Sequence, residues 1–361
     1  MVFLGLLFSL SVGMREKLPG LIRFLSSLLF CFLLLIILCL DERRCSGELS
    51  VRADQMFNNP VKKFLPENPI FSGADPHAVK FKNTFWVYPT GGRSTQFYAY
   101  YSTNLLNWER VGPVLDFKDV TWIEADGQKT HYAWAPCVLE WSGKFYFYYS
   151  VGPQNPTPSR IGVAVAGTPD GPFVDSGRPL VVGDKDFEAI DPMVFIDPVT
   201  QDRYLYAGGS AGNKMCVFAL GQDMMSIVKE VKVDTPPNFT EGVFIHVYKG
   251  KYYLSYSSGG WRDSSYSVHY CISESPIGPW VYKGVILRSD EMRKGPGHHS
   301  FLYDDESGRW LIFYHRWDGV EGEGPYQGTR KVCIEEVHYN NDGTIQPIKM
   351  TGGLKEKQPG K

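Results

Sequence analysis

The chain of 361 residues has no charge excess: 37 Lys and Arg stand against 39 Asp and Glu, a net charge of −2 without a long basic block. No cationic stripe means no electrostatic footprint for a polyanion, so nucleic acid is excluded as the expected partner and an uncharged one takes its place. Cysteines at C-x-x-C spacing are missing as well, which removes the usual zinc and dithiol chemistry. Of the seven cysteines, Cys31 and Cys39 lie in an apolar run. Cys45, Cys137, Cys216, Cys271 and Cys333 form an odd set, read mostly as small buried hydrophobes with room for one disulfide of unchosen partners. Helix-length amphipathic periodicity is also lacking. What is plentiful is aromatic: 22 Phe, 21 Tyr and 9 Trp, with 37 Gly and 24 Pro, describe many short strands joined by tight turns and predict an all-β protein.

The longest uncharged apolar run lies near the N-terminus. Phe24 to Leu40 carries no charge, follows Arg15, Lys17 and Arg23, and precedes Asp41 to Arg44 and the small-residue segment Cys45-Ser46-Gly47. This fits either a signal peptide cut before Glu48, with Met14 as a candidate start, or a signal anchor retained through residues 24–40. Both readings put the remainder outside the cytoplasm, secreted or membrane-anchored. Residues 1–50 are therefore set apart from residues 51–361. The one N-x-S/T acceptor is Asn238-Phe239-Thr240.

From about Asn68 the same pattern restarts five times: a polar or small opening, an apolar strand, a turn with Gly or Asn, a second aromatic strand and a third strand. Examples of the second strand are FYFYYS, YYLSYS and WLIFYH. Matching openings at Asp75, Trp134, Asp191, Glu241 and His298 lie 50 to 59 residues apart. A period near 50 built of short strands predicts a five-bladed β-propeller as a single domain. The innermost strand of each blade lines the central channel, so the five openings are predicted to converge at one end of the axis. Three of them are carboxylates, which in an apolar funnel raise one another's pKa.

Hydrolysis of a glycosidic bond needs one protonated carboxyl to assist the leaving oxygen and one ionised carboxylate to activate water or attack the sugar; a third can hold the acid's pKa up. The ordered run Ala74-Asp75-Pro76, Trp134-Ala135-Pro136, Ile190-Asp191-Pro192, Thr240-Glu241-Gly242 and Gly297-His298-His299-Ser300 resembles glycoside hydrolase family 43 over about residues 66 to 350. That resemblance implies a five-bladed propeller and an inverting hydrolase that removes α-L-arabinofuranosyl or β-D-xylosyl units from neutral pentose-containing oligo- or polysaccharides. It implies Asp75 as general base, Glu241 as general acid and Asp191 as the residue that orients the acid and tunes its pKa. Arg330 matches an arginine reaching the sugar or the acid, and Trp134 a sugar-facing wall. No cofactor is required for the chemistry. His298, with His299 as its alternative, matches an axial histidine that in many members touches a calcium or other ion in the channel. A monomer is expected, with no membrane contact beyond the N-terminal segment.

Asp197-Pro198 is read as a turn, Glu188 as an ordinary loop charge, and His77, His131, His246 and His315 as local structure, His315 being near the axis by register. Trp86, Trp122, Trp261 and Trp317 are read as sugar platforms or blade caps. The competing functions are a non-catalytic carbohydrate-binding propeller and a retaining fructan-type hydrolase. The latter's Asn-Asp-Pro-Asn-Gly block is replaced here by Gly-Ala-Asp-Pro-His.

Overall fold

A computed structural model describes residues 66–352. The expectations for residues 1–50, with Cys31, Cys39 and Cys45, lie outside the described residues. Short β-branched and aromatic stretches form the strands, and the dipeptides between them set the hairpins: Ser142-Gly143 and Lys249-Gly250 place both residues at positive φ, 51° and 73°, then 48° and 76°. These turns match the right-handed twist of the strands they join.

A two-residue strand, β1 (Phe71–Ser72), comes first. Blade 1 is β2 (His77–Phe81), β3 (Thr84–Tyr88), β4 (Gln96–Ser102) and β5 (Glu109–Asp116). Blade 2 is β6 (Tyr132–Trp141), β7 (Lys144–Gly152) and β8 (Arg160–Ala166), with β9 (Val174–Asp175) and β10 (Val181–Val182) both paired to β8. Blade 3 is β11 (Met193–Ile196), β12 (Arg203–Ala207), β13 (Cys216–Leu220) and β14 (Ile227–Val231). Blade 4 is β15 (Glu241–Tyr248), β16 (Lys251–Ser258), β17 (Ser267–Ser273) and β18 (Val281–Leu287). Blade 5 contributes β19 (Arg293–Asp304), β20 (Arg309–Asp318) and β21 (Lys331–Val337), and its fourth strand is β1, so the sheet order is β1-β21-β20-β19. All strand pairs among the described residues are antiparallel.

The tyrosines on the second strands explain much of the aromatic content. The hydroxyl of Tyr88 donates to the Pro169 carbonyl of the next blade at 2.7 Å, Tyr206 to Pro276 at 2.6 Å and Tyr253 to Gly343 at 2.6 Å. Each ring thus fills the space between two blades while its hydroxyl finds a backbone carbonyl of the neighbouring blade. Cys137, Cys216, Cys271 and Cys333 are buried and free, as small hydrophobes. Apart from two short 3-10 turns, Phe117–Asp119 and Ile123–Asp126, the described residues contain no helix, and none is long or apolar enough to cross a membrane.

Ring closure by β1 is not visible in the repeat, because it joins the two ends of the propeller. Phe71 pairs with Val332 of β21, and its ring stacks on Tyr100 of blade 1 at 3.9 Å with a 6° interplanar angle. One side chain therefore bridges the last blade to the first. Phe71→Ala is expected to lower stability by about 3 kcal/mol, read as a lower midpoint in urea with unchanged activity per folded molecule.

Candidate active site

The innermost strands start with a recurring backbone device. Asp75, Ala135, Asp191, Gly242 and His298 all have left-handed φ, 52°, 32°, 56°, 64° and 37°. Such values strain most L-residues, least so Gly and Asp, and persist only where the surroundings hold them. In four blades the surroundings are a side chain at the end of the preceding blade's second strand. The N–H of Asp191 donates to Ser150 Oγ at 2.9 Å, that of His298 to Ser257 Oγ at 2.8 Å, that of Ala135 to Thr90 Oγ1 at 3.3 Å and that of Asp75 to His315 Nδ1 at 3.1 Å. In blade 4 the Gly242 N–H serves the Asp191 carboxylate instead.

This device corrects the register read from the sequence. The equivalent backbone positions are Asp75, Ala135, Asp191, Gly242 and His298, so Trp134 and Glu241 each stand one residue earlier. Glu241 reaches the site from the first residue of β15, opposite Ser257, just ahead of the irregularity in pairing that Gly242 creates. The sequence periodicity is coarser than one residue, and only the left-handed turn separates the two alignments.

Asp75, Asp191, His298 and Arg330 come together directly. Arg330 Nη1 donates to Asp75 Oδ1 at 2.8 Å, and His298 Nδ1 lies 3.6 Å from the same oxygen and 3.3 Å from Asp191 Oδ2. His315, fully buried, puts Nδ1 3.1 Å from Asp75 Oδ1 and stacks on Tyr266. Tyr266 in turn donates its hydroxyl to Glu241 Oε1 at 2.7 Å. Arg330 is held from behind by the face of Trp261, 4.7 Å from the guanidinium, and Trp261 stacks on the buried Trp317.

These contacts divide the carboxylates. Burial pushes Asp75 upward, but the Arg330 guanidinium, then His298 and His315, outweigh it and hold the group well below the usual carboxylate range. Burial raises Glu241 to about 7; the Tyr266 hydrogen bond and Arg330 pull it down, while the charges of Asp75 and Glu188 push it up. Asp191 is raised well above the usual carboxylate range, first by burial and then by Glu241, Asp75 and Glu188, against the hydrogen bond from Gly242. Burial and Arg330 lower His315 to about 3 against the pull of Asp75, leaving the ring neutral. The surroundings thus push Asp75 toward its ionised form and Glu241 and Asp191 toward their protonated forms.

Glu188 is not an ordinary loop charge. It is 6% exposed, and its Oε2 accepts from the Ala211 N–H at 2.8 Å and from Ser210 Oγ at 3.2 Å. Gly209 makes room for it, since a Cβ there would stand 2.5 Å from Oε2. Sequence reasoning also missed Tyr266 and the contact role of His315. The single available signal was the axial register of His315, whereas Tyr266 precedes a third strand and carries no motif.

Trp134 lies flat on Gly152, where a Cβ would meet its ring at 2.3 Å, and stacks beside Tyr132. Among the described residues no hydrogen bond joins it to the carboxylates. Trp86, Trp122 and Trp317 are buried as packing, and Trp261 alone of the four is exposed, at 42%. Asp197 is a turn residue, its Oδ1 accepting from the Val199 N–H and from Tyr252.

The donor set at the axis does not suit the ion that an axial histidine would imply. Calcium takes six to eight oxygens. His298 offers nitrogen, and its Nδ1 already faces two carboxylates. His299 turns away: it is buried, pairs through Nε2 with Ser255 Oγ at 2.7 Å, and leaves Nδ1 without a partner beside Phe244 and Phe301. Among the described residues no group of three or more His, Cys, Asp or Glu side chains is disposed to hold a metal. The residues present do not make a calcium cage, and no chemical step below runs through one.

With that geometry in view, comparison with known proteins is informative. The model of the family described as glycosyl hydrolases family 43 matches residues 66–345. A β-D-galactofuranosidase of Aspergillus niger is 32% identical, over 79% of this chain and 85% of the relative. A xylosidase/arabinosidase of Humicola insolens is 28% identical, over 75% and 95%. Among solved structures, a thermostable family-43 glycoside hydrolase superposes with a TM-score of 0.68 at 26% identity, covering 82% of this chain and all of that one. A β-xylosidase/α-arabinofuranosidase from a compost microbial metagenome, in a calcium-free complex with xylotriose, gives 0.64 at 25% identity, covering 78% and 97%. Five blades, three convergent carboxylates and a family match across nearly all the described residues agree: the chain belongs to glycosyl hydrolase family 43.

Proposed function

We propose that this enzyme removes terminal α-L-arabinofuranosyl or β-D-xylosyl residues from neutral pentose-containing polysaccharides or oligosaccharides by direct, inverting displacement. The observation that carries the reading is the unlike company of two carboxyl groups: Asp75 accepts from the Arg330 guanidinium at 2.8 Å, which favours its ionised form, whereas Glu241 has the neutral Tyr266 hydroxyl at 2.7 Å and is raised by burial to about 7. Pairs pushed apart in this way are how one site runs acid and base chemistry together. Asp75 takes a proton from water as it attacks the anomeric carbon; Glu241 gives its proton to the departing oxygen; Asp191, neutral and fixed beside His298 and the Gly242 N–H, orients the acid. Arg330 keeps Asp75 ionised and stands at the sugar's side of it. Trp134 serves as a flanking wall. A pure carbohydrate-binding propeller has no use for this separation of pKa values.

The activities for which these relatives are named include arabinosidase, xylosidase and galactofuranosidase. The last supports a second substrate reading, because a β-D-galactofuranoside has the ring configuration of an α-L-arabinofuranoside with one added carbon. Hydrolysis of nitrophenyl α-L-arabinofuranoside, β-D-xyloside and β-D-galactofuranoside, with proton NMR of the first-formed anomer, separates these readings. Cleavage of none of the three, or retention of configuration, overturns the proposal. Secretion or anchoring through residues 24–40, and a monomeric state, belong to the same proposal and rest on the sequence alone.

Glu188 gives the assignment a further test. Its charge raises both Glu241 and Asp191, so Glu188→Gln, which keeps an oxygen for the Ala211 N–H, is expected to move the alkaline limb of the rate profile to lower pH. Activity at pH 5 should stay near that of the parent enzyme. An unmoved limb removes Glu188 from the electrostatics of the acid.

A further inference from the structure

A second concave surface lies at the other end of the propeller. It is a groove of about 750 Å³ between blades 4 and 5, formed where β15 and β19 end and β20 begins. Glu241 opens β15 and Tyr248 closes it, so strand rise alone puts the groove roughly 20 Å from the carboxylates.

Four aromatic rings build its wall. Tyr248 and Tyr339 stack at 3.7 Å and 15°, and Tyr339 is locked by a 2.8 Å hydrogen bond to buried His246. Trp310 meets both of these rings edge-on, at 6.3 and 6.0 Å, and supports Tyr303, which leaves 48% of its surface to solvent. Around the rings stand groups of both signs, Lys249 and Arg309 against Glu336. Fixed rings offer flat apolar faces, and the polar groups, of both signs, offer donors and acceptors without a block of one charge. That combination suits the alternating C–H faces and hydroxyls of an uncharged sugar chain, and it is poor for a polyanion or a charged peptide.

We propose that this groove is a second saccharide-binding site, which holds a stretch of neutral polysaccharide while the carboxylate end works on another part of the same polymer. The proposal rests on the polysaccharide reading above. A short aryl glycoside cannot span the distance between the two ends, so the groove affects polymers alone, by raising the local concentration of chain at the active site.

The test uses the full chain. Tyr303→Ala removes the exposed ring and leaves the carboxylate end untouched, so hydrolysis of the nitrophenyl glycoside is expected to stay at the parent rate, which also reports correct folding. In native gels containing soluble arabinoxylan, arabinan or galactan, with Glu241→Gln in both arms to spare the polymer, retention is expected to weaken about five-fold on at least one polymer. Lys249→Ala, on the groove's rim, should weaken it in the same sense. Equal retention with and without Tyr303→Ala, or retention of neither, overturns the groove. A dimer in sedimentation that Tyr303→Ala dissociates also overturns it and assigns the face to a second copy of the chain. Failure of the pentoside reading shows separately, as uncleaved nitrophenyl pentosides.

Discussion

Glu241→Gln is expected to lower kcat on a natural arabinoxylan oligosaccharide by about a thousand-fold while leaving KM within a small factor of the parent. Glutamine keeps the length of the side chain and an acceptor for the Tyr266 hydroxyl, so the wall of the funnel is preserved. What is lost is the proton for the departing alkoxide, and general acid assistance of that kind contributes about 10² to 10⁴ in rate, around 4 kcal/mol at the middle of the range. The loss should shrink strongly with a dinitrophenyl leaving group, which departs without protonation. The alkaline limb near pH 7 should vanish with the titrating group. Stability moves in the opposite sense to activity. A carboxyl whose folded pKa is raised from 4.5 to about 7 contributes stability in full below the unfolded value, and that stability is lost as pH rises through the folded value. The glutamine variant escapes that loss. It should be more stable than the parent at pH 8 by about 2 kcal/mol, allowing for screening of a group that is not fully buried, and the gap should close only below the unfolded value of 4.5. Full turnover of the oligosaccharide by this variant places the acid elsewhere.

Much of this was legible in the chain because a propeller writes itself in sequence as repetition. Each second strand must present aromatic side chains to the neighbouring blade, so FYFYYS, YYLSYS and WLIFYH recur, and the polar residues that interrupt them mark the axis. Asp75, Asp191 and His298 could be read there because the left-handed turn that aims them recurs with the blade. What escaped depends on contacts between blades that no period records. Tyr266 and His315 act on Glu241 and Asp75 respectively, through contacts far apart in the chain. Glu188 looked like a loop charge because its burial is supplied by Gly209 to Ala211, about twenty residues downstream. The closing strand β1 pairs Phe71 with Val332, a separation that no local pattern spans. The alignment of Trp134 and Glu241 with the other openings was one residue off for the same reason: spacing counts residues, whereas the hydrogen bonds of Ser150, Ser257 and Thr90 choose which residue turns.

The second large effect is expected at the base. Asp75→Asn should reduce kcat by about 10³- to 10⁴-fold on every substrate, activated aryl glycosides included, because attack by water is impaired whatever the leaving group. That contrast with Glu241→Gln is the kinetic signature separating base from acid. The substitution also removes the negative partner of Arg330, so a half-buried guanidinium loses its 2.8 Å carboxylate contact. Leaving such a charge uncompensated is destabilising, and the variant should show a lower urea midpoint than the parent. The charge of Asp75 also helps to hold Glu241 protonated, so the residual activity should lose its alkaline limb at a lower pH than the parent does. Azide supplies what is missing: a small anion in the space beside the substituted side chain needs no base and attacks from the side where Asp75 activated water. Its product should be the glycosyl azide of inverted configuration, seen by proton NMR, with rate restored in proportion to azide. A glycosyl azide of retained configuration would mean two displacements, with azide opening a glycosyl-enzyme intermediate formed on another residue and this position its acid/base, and the direct displacement proposed for this site would fall with it.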